Sequence, residues 1–175
     1  MEPLDAKIDP GPVALLQNMK PQDLLASLDM AYDSFSGYKG LNNHMGSKLT
    51  QDPKAMKVVM ESLAERDIYF IDSQTIKDSI AYEQAQAYGL ASARRDVFLD
   101  HEESIEFVRN ALKATERIAR LRGYAIAIGH PKEVTLQGLN EWLPTLEDKN
   151  ITIVPASKLV KRAHENFHTE VTKNN

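Results

Sequence analysis

The chain has 175 residues, room for one domain of ordinary size around a single core. Apolar residues are 42% and charged residues 26%, the balance of a soluble globular protein, which excludes wholesale disorder and collagen-like repeats. Lys plus Arg is 21 against 25 Asp plus Glu, a net charge of −4, so no broad cationic face exists to release counterions from a phosphate backbone and nucleic acid is not expected as a partner.

The opening holds Pro3, Pro10 and Pro12 with Gly11, and reads as an extended or turning connector. From Pro21 the spacing of Leu24, Leu25, Leu28, Met30, Ala31 and Phe35 predicts a helix over about 21–35, ended by Gly37 and Gly40. Gly40-Leu41-Asn42-Asn43 suggests a short strand ending in His44. Asp52-Pro53 opens a second helix whose Met56, Val59, Met60 and Leu63 share a face, with its end near Arg66-Asp67. Ile68-Tyr69-Phe70-Ile71 is a short run of branched and aromatic residues, a buried strand that delivers Asp72 and Ser73. The phrase recurs in Val97-Phe98-Leu99 before Asp100, in residues 124–128 before Gly129-His130, and in residues 151–154 before Pro155-Ala156-Ser157. Helical patterns at about 75–88, 102–122 and 135–148 lie between these runs. The alternation is that of an α/β fold with parallel strands, whose carboxyl ends form the ligand face. His44, Asp72, Asp100 and His130 therefore could converge on one site.

No cysteine is present, which excludes disulfides, thiolate metal sites, iron–sulfur clusters and a cysteine nucleophile. No stretch approaches the roughly 20 apolar residues that cross a bilayer, and Met1-Glu2-Pro3-Leu4-Asp5 lacks the basic-then-apolar order of a signal peptide. His164-Glu165-Asn166-Phe167-His168 fits the H-E-x-x-H zinc pattern, but its flanks Lys161-Arg162 and Thr169-Glu170 are those of a solvated terminal helix. No Walker loop, G-x-G-x-x-G run or G-x-S-x-G elbow occurs, so nucleotide use and serine hydrolysis have no support.

Four segments carry chemistry. Asn42-Asn43-His44-Met45-Gly46-Ser47 is either a turn, favoured by Asn and Gly, or a site in which amides and an imidazole position a metal or a substrate oxygen. Gly129-His130-Pro131 closes the most apolar strand, and His130 there either caps the strand or serves as acid or base near neutral pH. Asp72 and Asp100 are strand-end carboxylates with Arg95 nearby, and helix capping is the competing reading for both carboxylates. His101 reads as a surface histidine.

Taken in order, Gly40-Leu41-Asn42-Asn43-His44-Met45-Gly46-Ser47, Phe70-Ile71-Asp72-Ser73, Arg95-Asp96-Val97-Phe98-Leu99-Asp100, residues 125–131 ending Gly129-His130-Pro131, and Val154-Pro155-Ala156-Ser157 closely resemble the divergent polysaccharide deacetylase family of bacterial envelopes, over about residues 1–159. The resemblance implies a distorted, incomplete (β/α) barrel of the carbohydrate-deacetylase type, occupying residues 1–160 with a polar tail at 161–175. It implies a hydrolase acting on amide bonds of a cell-envelope polysaccharide, with a divalent metal, usually Zn, that polarises the acetyl group and activates water. By that pattern His44 looks like a metal ligand or its close neighbour, His130 looks like the histidine that protonates the leaving amine or alcohol, and Asp72 would belong with it to the catalytic set. Asn42, Asn43, Ser73, Arg95 and Asp100 would shape the substrate pocket. A periplasmic or envelope location follows from the same resemblance.

Family members open with a strand ending in paired aspartates, which give a metal ligand and the base, and then a strand with another histidine before the Met-Glu-Pro that stands here at residues 1–3. By the resemblance the chain is expected to look like the C-terminal portion of the family's domain, with at most five strands in an open sheet. The alternative is a non-catalytic carbohydrate-binding or structural domain that keeps the fold.

Overall fold

The computed structural model describes residues 1–161. The His164–His168 pattern and nearly all of the expected polar tail lie outside the described residues. Two compact units make up the described residues, Met1–Arg94 together with Val160 and Lys161, and Arg95–Leu159.

The first unit contains α1 (Pro21–Tyr32), β1 (Gly40–Asn42), a 3-10 turn (Leu49–Gln51), α2 (Pro53–Glu65), β2 (Tyr69–Asp72), α3 (Ala81–Ala87) and β3 (Ser92–Arg94). All three strands are parallel in the order β1-β2-β3, with Leu41 opposite Phe70 and Phe70 opposite Ser92. Each crossover carries a helix, as parallel pairing requires. Pro21 and Pro53 sit in the first turns of α1 and α2, where a missing N–H has no intrahelical role. Asp52 caps α2 by accepting from the Lys54 and Ala55 backbone N–H groups at 2.8 and 3.1 Å. Leu24, Leu28 and Tyr32 of α1 and Met56, Val59, Met60 and Leu63 of α2 close over Phe70 in one core. The apolar run read as the face of α1 is wider than the stripe that packs: Leu25, Met30 and Phe35 remain 40, 62 and 65% exposed.

The second unit contains β4 (Val97–Phe98), α4 (Ile105–Arg122), β5 (Ala127–Ile128), α5 (Glu133–Trp142) and a 3-10 turn (Leu143–Thr145). The two short strands pair in parallel, Val97 with Ala127 and Phe98 with Ile128. Ser104 caps α4 by accepting from the Phe107 N–H, and Gly123 ends it at φ 82° in the left-handed region. A second core gathers Val97, Leu99, Val108, Ala111 and Leu112. Gly138 lets α5 approach α4, since a Cβ there would lie 2.5 Å from Val108 Cγ1. Arg109 clamps the pair with two bonds to Glu141 at 2.9 and 3.0 Å.

The architecture is thus α/β with parallel strands, and the five strands among the described residues form one three-stranded and one two-stranded sheet, neither closed into a barrel. Two elements differ from the sequence reading. Residues 151–154 are not a strand: the Ile151 N–H donates back to the Leu146 carbonyl at 3.0 Å, and Ile153 is 60% exposed. Conversely, Ser92–Arg94 is a strand, although its small and charged residues carry no strand propensity. The opening residues are extended and turning, as expected, and they are tied to the body of the unit. Glu2 accepts from the Lys48 and Leu49 N–H groups through its carbonyl and from Lys48 Nζ through its carboxylate, and the Leu4 N–H donates to Ser47 Oγ.

Candidate functional site

The sequence-derived candidates fall into two groups, one in each unit. In the first unit the carboxyl ends of β1 and β2 bring Asn42, Asn43, Asp72 and Ser73 together. Asn42 Nδ2 donates to Ser73 Oγ at 3.0 Å, and the Ser73 N–H donates to Asn43 Oδ1 at 2.8 Å. Asn43 is 1% exposed, and its Nδ2 reaches forward to the Met45 carbonyl at 2.9 Å. The side chain of Asn43 therefore splices two strand ends, and the left-handed backbone expected of this segment falls on Met45 at φ 55° and Gly46 at φ 95° rather than on either asparagine.

Asp72 is fully buried, and both of its oxygens are engaged within its own loop. Oδ1 accepts from the Gln74 N–H at 2.7 Å and Oδ2 from Ser79 Oγ at 2.8 Å. Gln74 has φ 46°, the conformation this tight turn demands. His44 is exposed at the tip, with its carbonyl accepting from the Met1 amino group at 3.0 Å. Loop residues 73–80 take up the first part of the span read as a helix, which starts only at Ala81.

In the second unit Asp100 and His130 end the paired strands and meet directly. The Asp100 side chain has no exposed surface, whereas that of His130 is 42% exposed. Asp100 Oδ2 accepts from the His130 backbone N–H at 2.7 Å, and Oδ1 lies 3.2 Å from His130 Nδ1. Thr135 Oγ1 adds a second donor to Oδ2, the third on the carboxylate, at 3.1 Å. Burial pushes the Asp100 carboxyl up, but the backbone and ring of His130 and the Thr135 hydroxyl together outweigh it, so the group is held below its ordinary value of 3.8. With Nδ1 turned to the carboxylate, the ring is fixed with Nε2 on its other side. The Phe98 ring meets His130 edge to face at 5.6 Å, and Arg95 stacks on the same ring with its guanidinium carbon 5.2 Å from the centroid.

Arg95 thus stands beside the dyad through Phe98. Neither Phe98 nor Thr135 was singled out from the sequence; the signal for Thr135 was its position one turn into the helix that follows Gly129-His130-Pro131. His101, read as a surface histidine, is exposed and sits between Phe98 and Phe107 at centroid distances of 6.1 and 6.3 Å.

Among the described residues no three His, Asp or Glu side chains gather closely enough to hold an ion. Asp72 has both oxygens engaged inside a turn and Asp100 has both on His130 and Thr135, so His44 is left as the single imidazole at the β1 end. A zinc site normally takes three protein ligands in addition to water. The described residues by themselves do not fit one.

Among the described residues no helix is long and apolar enough to cross a membrane. An uncharacterized protein of Haemophilus influenzae is 36% identical over 149 residues, 85% of this chain and 52% of that protein. The uncharacterized protein YibQ of Escherichia coli is 39% identical over 121 residues, 69% of this chain and 38% of that protein. The crystal structure of the uncharacterized protein ATU2773 from Agrobacterium tumefaciens C58 superposes with a TM-score of 0.87 at 26% identity, covering 90% of this chain and 65% of that one. The chain spans about half the length, or less, of the curated relatives it matches. Its residues 1–160 match the divergent polysaccharide deacetylase family, and with these relatives and this fold the chain belongs to that family.

Proposed function

We propose that the chain is the acid-bearing portion of a carbohydrate deacetylase, a hydrolase that removes acetyl groups from amide nitrogens of an envelope polysaccharide. The observation that carries this reading is the Asp100–His130 pair, in which a fully buried carboxylate grips both the backbone and the ring of one half-exposed histidine. Such a clamp fixes tautomer and orientation and stabilises the imidazolium. In the reaction, water adds to the acetyl carbon as its proton passes to the base supplied from outside the described residues, and the C–N bond of the tetrahedral intermediate then breaks. The proton on Nε2 passes to the departing amine nitrogen, acetate leaves, and the ring is left neutral beside Asp100.

Family membership supports the substrate class and the deacetylase chemistry. In this reading the fold is part of the family's distorted (β/α) barrel, His44 contributes one ligand to a divalent metal, and the rest of the metal shell and the base lie outside the described residues. Asn42, Asn43 and Ser73 form a rigid polar floor, Asp72 holds that floor in place, and Arg95 acts through Phe98. An envelope location follows from the substrate.

The engaged state of Asp72 favours a second reading, a carbohydrate-binding domain without turnover. Acetate release from N-acetylglucosamine oligomers, measured on protein carrying this chain, separates the two. His130→Ala is expected to lower kcat by about 10² to 10⁴, the usual contribution of a positioned acid, with sugar binding retained. Turnover unaffected by His130→Ala overturns the assignment of the acid, and binding without any turnover in the unmodified protein selects the second reading.

A further inference from the structure

A depression of about 700 Å³ lies at the other end of the first sheet, where α1 runs into β1 and α2 into β2. It is lined by Tyr32, Phe35, Tyr38 and Ile68 together with Asp33, Ser36, Gly37 and Arg66, all within the first unit. These residues precede β1 and β2, whereas Asn42, His44, Asp72 and Ser73 follow them, so the depression is a strand's length from the candidate chemistry of that unit.

Its walls are aromatic and its rim is polar. The Tyr32 and Tyr38 rings stack at 6.0 Å and 21°, and Phe35 stands edge-on to Tyr38 at 5.6 Å and 75°. Phe35 is 65% exposed, the most exposed aromatic among the large apolar side chains of the described residues. Arg66 lies over Tyr32 with its guanidinium carbon 4.3 Å from the centroid, and it is held there by Asp29 at 2.6 Å and by the carbonyl and hydroxyl of Ser62. Gly37, at φ 84°, turns the loop that presents Phe35 and Tyr38. A purely apolar partner would leave Asp33 and Ser36 desolvated, and a phosphate would meet a guanidinium whose charge is already balanced by Asp29. A pyranose fits both demands: its C–H faces lie on aromatic rings while its equatorial hydroxyls meet donors and acceptors of either sign around the edge.

We propose that this depression is a second, non-catalytic subsite that binds one sugar ring of a glycan chain, through stacking on Phe35 and Tyr38 and hydrogen bonds at Asp33, Ser36 and Arg66. Its ligand class rests on the polysaccharide reading, but its chemistry does not need an N-acetyl group. Ring-face stacking acts equally on acetylated and unacetylated sugars, which separates this site from the dyad.

The test is a titration of the ¹⁵N-labelled chain with the tetramer of N-acetylglucosamine and, separately, with cellotetraose. Both are expected to shift amides of residues 33–38 and 66–68. Phe35→Ala should weaken both effects by about fivefold to tenfold, and Phe35→Trp should keep them, because the lost term is one aromatic contact on an exposed ring. Phe35 contributes little to the core, so Phe35→Ala should leave the remaining spectrum in place. His130→Ala should leave both titrations unchanged, and loss of acetate release alone would count against the proposed function without touching this subsite. Absence of shifts at 33–38 with both tetramers overturns the proposal. So does broadening of those amides with protein concentration alone, relieved by Phe35→Ala, which would assign the face to a second copy of the chain.

Discussion

Asp72 and Asp100 look alike in the sequence and in burial, each a strand-end aspartate with essentially no exposed surface, yet their surroundings give them different work. Asp72 accepts from Gln74 and Ser79, both within seven residues of it, and so closes its own loop. Asp100 accepts from His130 and Thr135, 30 and 35 residues away, and so joins two strand ends and a helix around one imidazole. A buried carboxylate is thus informative about chemistry only through the sequence distance and titratability of its partners. Local donors make it a turn; a distant histidine makes it a positioned pair.

The sharpest way to break this contrast is to remove each carboxylate. Asp100→Asn should lower deacetylation by about 10²-fold or more, because the amide no longer stabilises the imidazolium. Asp100→Ala should in addition destabilise the chain by roughly 2–4 kcal/mol, leaving the His130 N–H and the Thr135 hydroxyl without an acceptor. Asp72→Ala should cost about 1–3 kcal/mol in urea unfolding for its two orphaned donors, with a much smaller effect on the rate per folded molecule. Equal losses of folded-state turnover in both variants would erase the distinction drawn between them.

How far the sequence revealed these two places follows from the same difference. Residues 68–72 are legible because a run of branched and aromatic residues can only be a buried strand, and its polar end is then a strand end. The α2 boundary is legible because Asp52-Pro53 is both cap and first turn. Strand β3 was not, since Ser92, Ala93 and Arg94 become a strand only by pairing with Phe70, Ile71 and Asp72. The run at 151–154 erred the other way: its residues have strand propensity, but its backbone turns back to Leu146 and gains no ladder among the described residues.

Within the candidate site, residue types were legible and roles were not. His130 and Asp100 stood at strand ends, but only the register of β4 against β5 brings them together. Helix capping was a sufficient reading for Asp100 until the structure gave that role to Ser104 at the start of α4. Phe98 and Thr135 escaped because an apolar strand residue and a helical threonine carry no chemical signature without their partners.

Acid sharpens the comparison next. The folded-state pKa of Asp100 lies below its ordinary value of 3.8, so the stability it contributes is fully present above that value and is lost as pH falls through the lowered one. Urea midpoints measured from pH 5 down to pH 2 should therefore fall more steeply for the unmodified chain than for Asp100→Asn, with the difference confined below about pH 4. A difference that appears only above pH 5 would mean that the Asp100 carboxylate does not carry the linkage.

The smallest effects lie in the two hydroxyls, and they test whether the carboxylates differ in redundancy as well as in role. Ser79 Oγ is one of two donors shown on Asp72, while Thr135 Oγ1 is one of three on Asp100. Ser79→Ala leaves a fully buried carboxylate oxygen without the donor it had, a loss of about 1–2 kcal/mol. Thr135→Val keeps the volume and leaves Asp100 Oδ2 still accepting from the His130 N–H, so about 0.5–1 kcal/mol is expected. Because the Thr135 bond helps to hold the Asp100 carboxyl down, the folded-state value rises in Thr135→Val, so the stability lost in acid should be smaller and complete at a higher pH than in the unmodified chain. Thermal unfolding at neutral pH and at pH 3 reads both quantities. A larger loss for Thr135→Val than for Ser79→Ala would show that the threonine, rather than the backbone of His130, is the main support of the dyad.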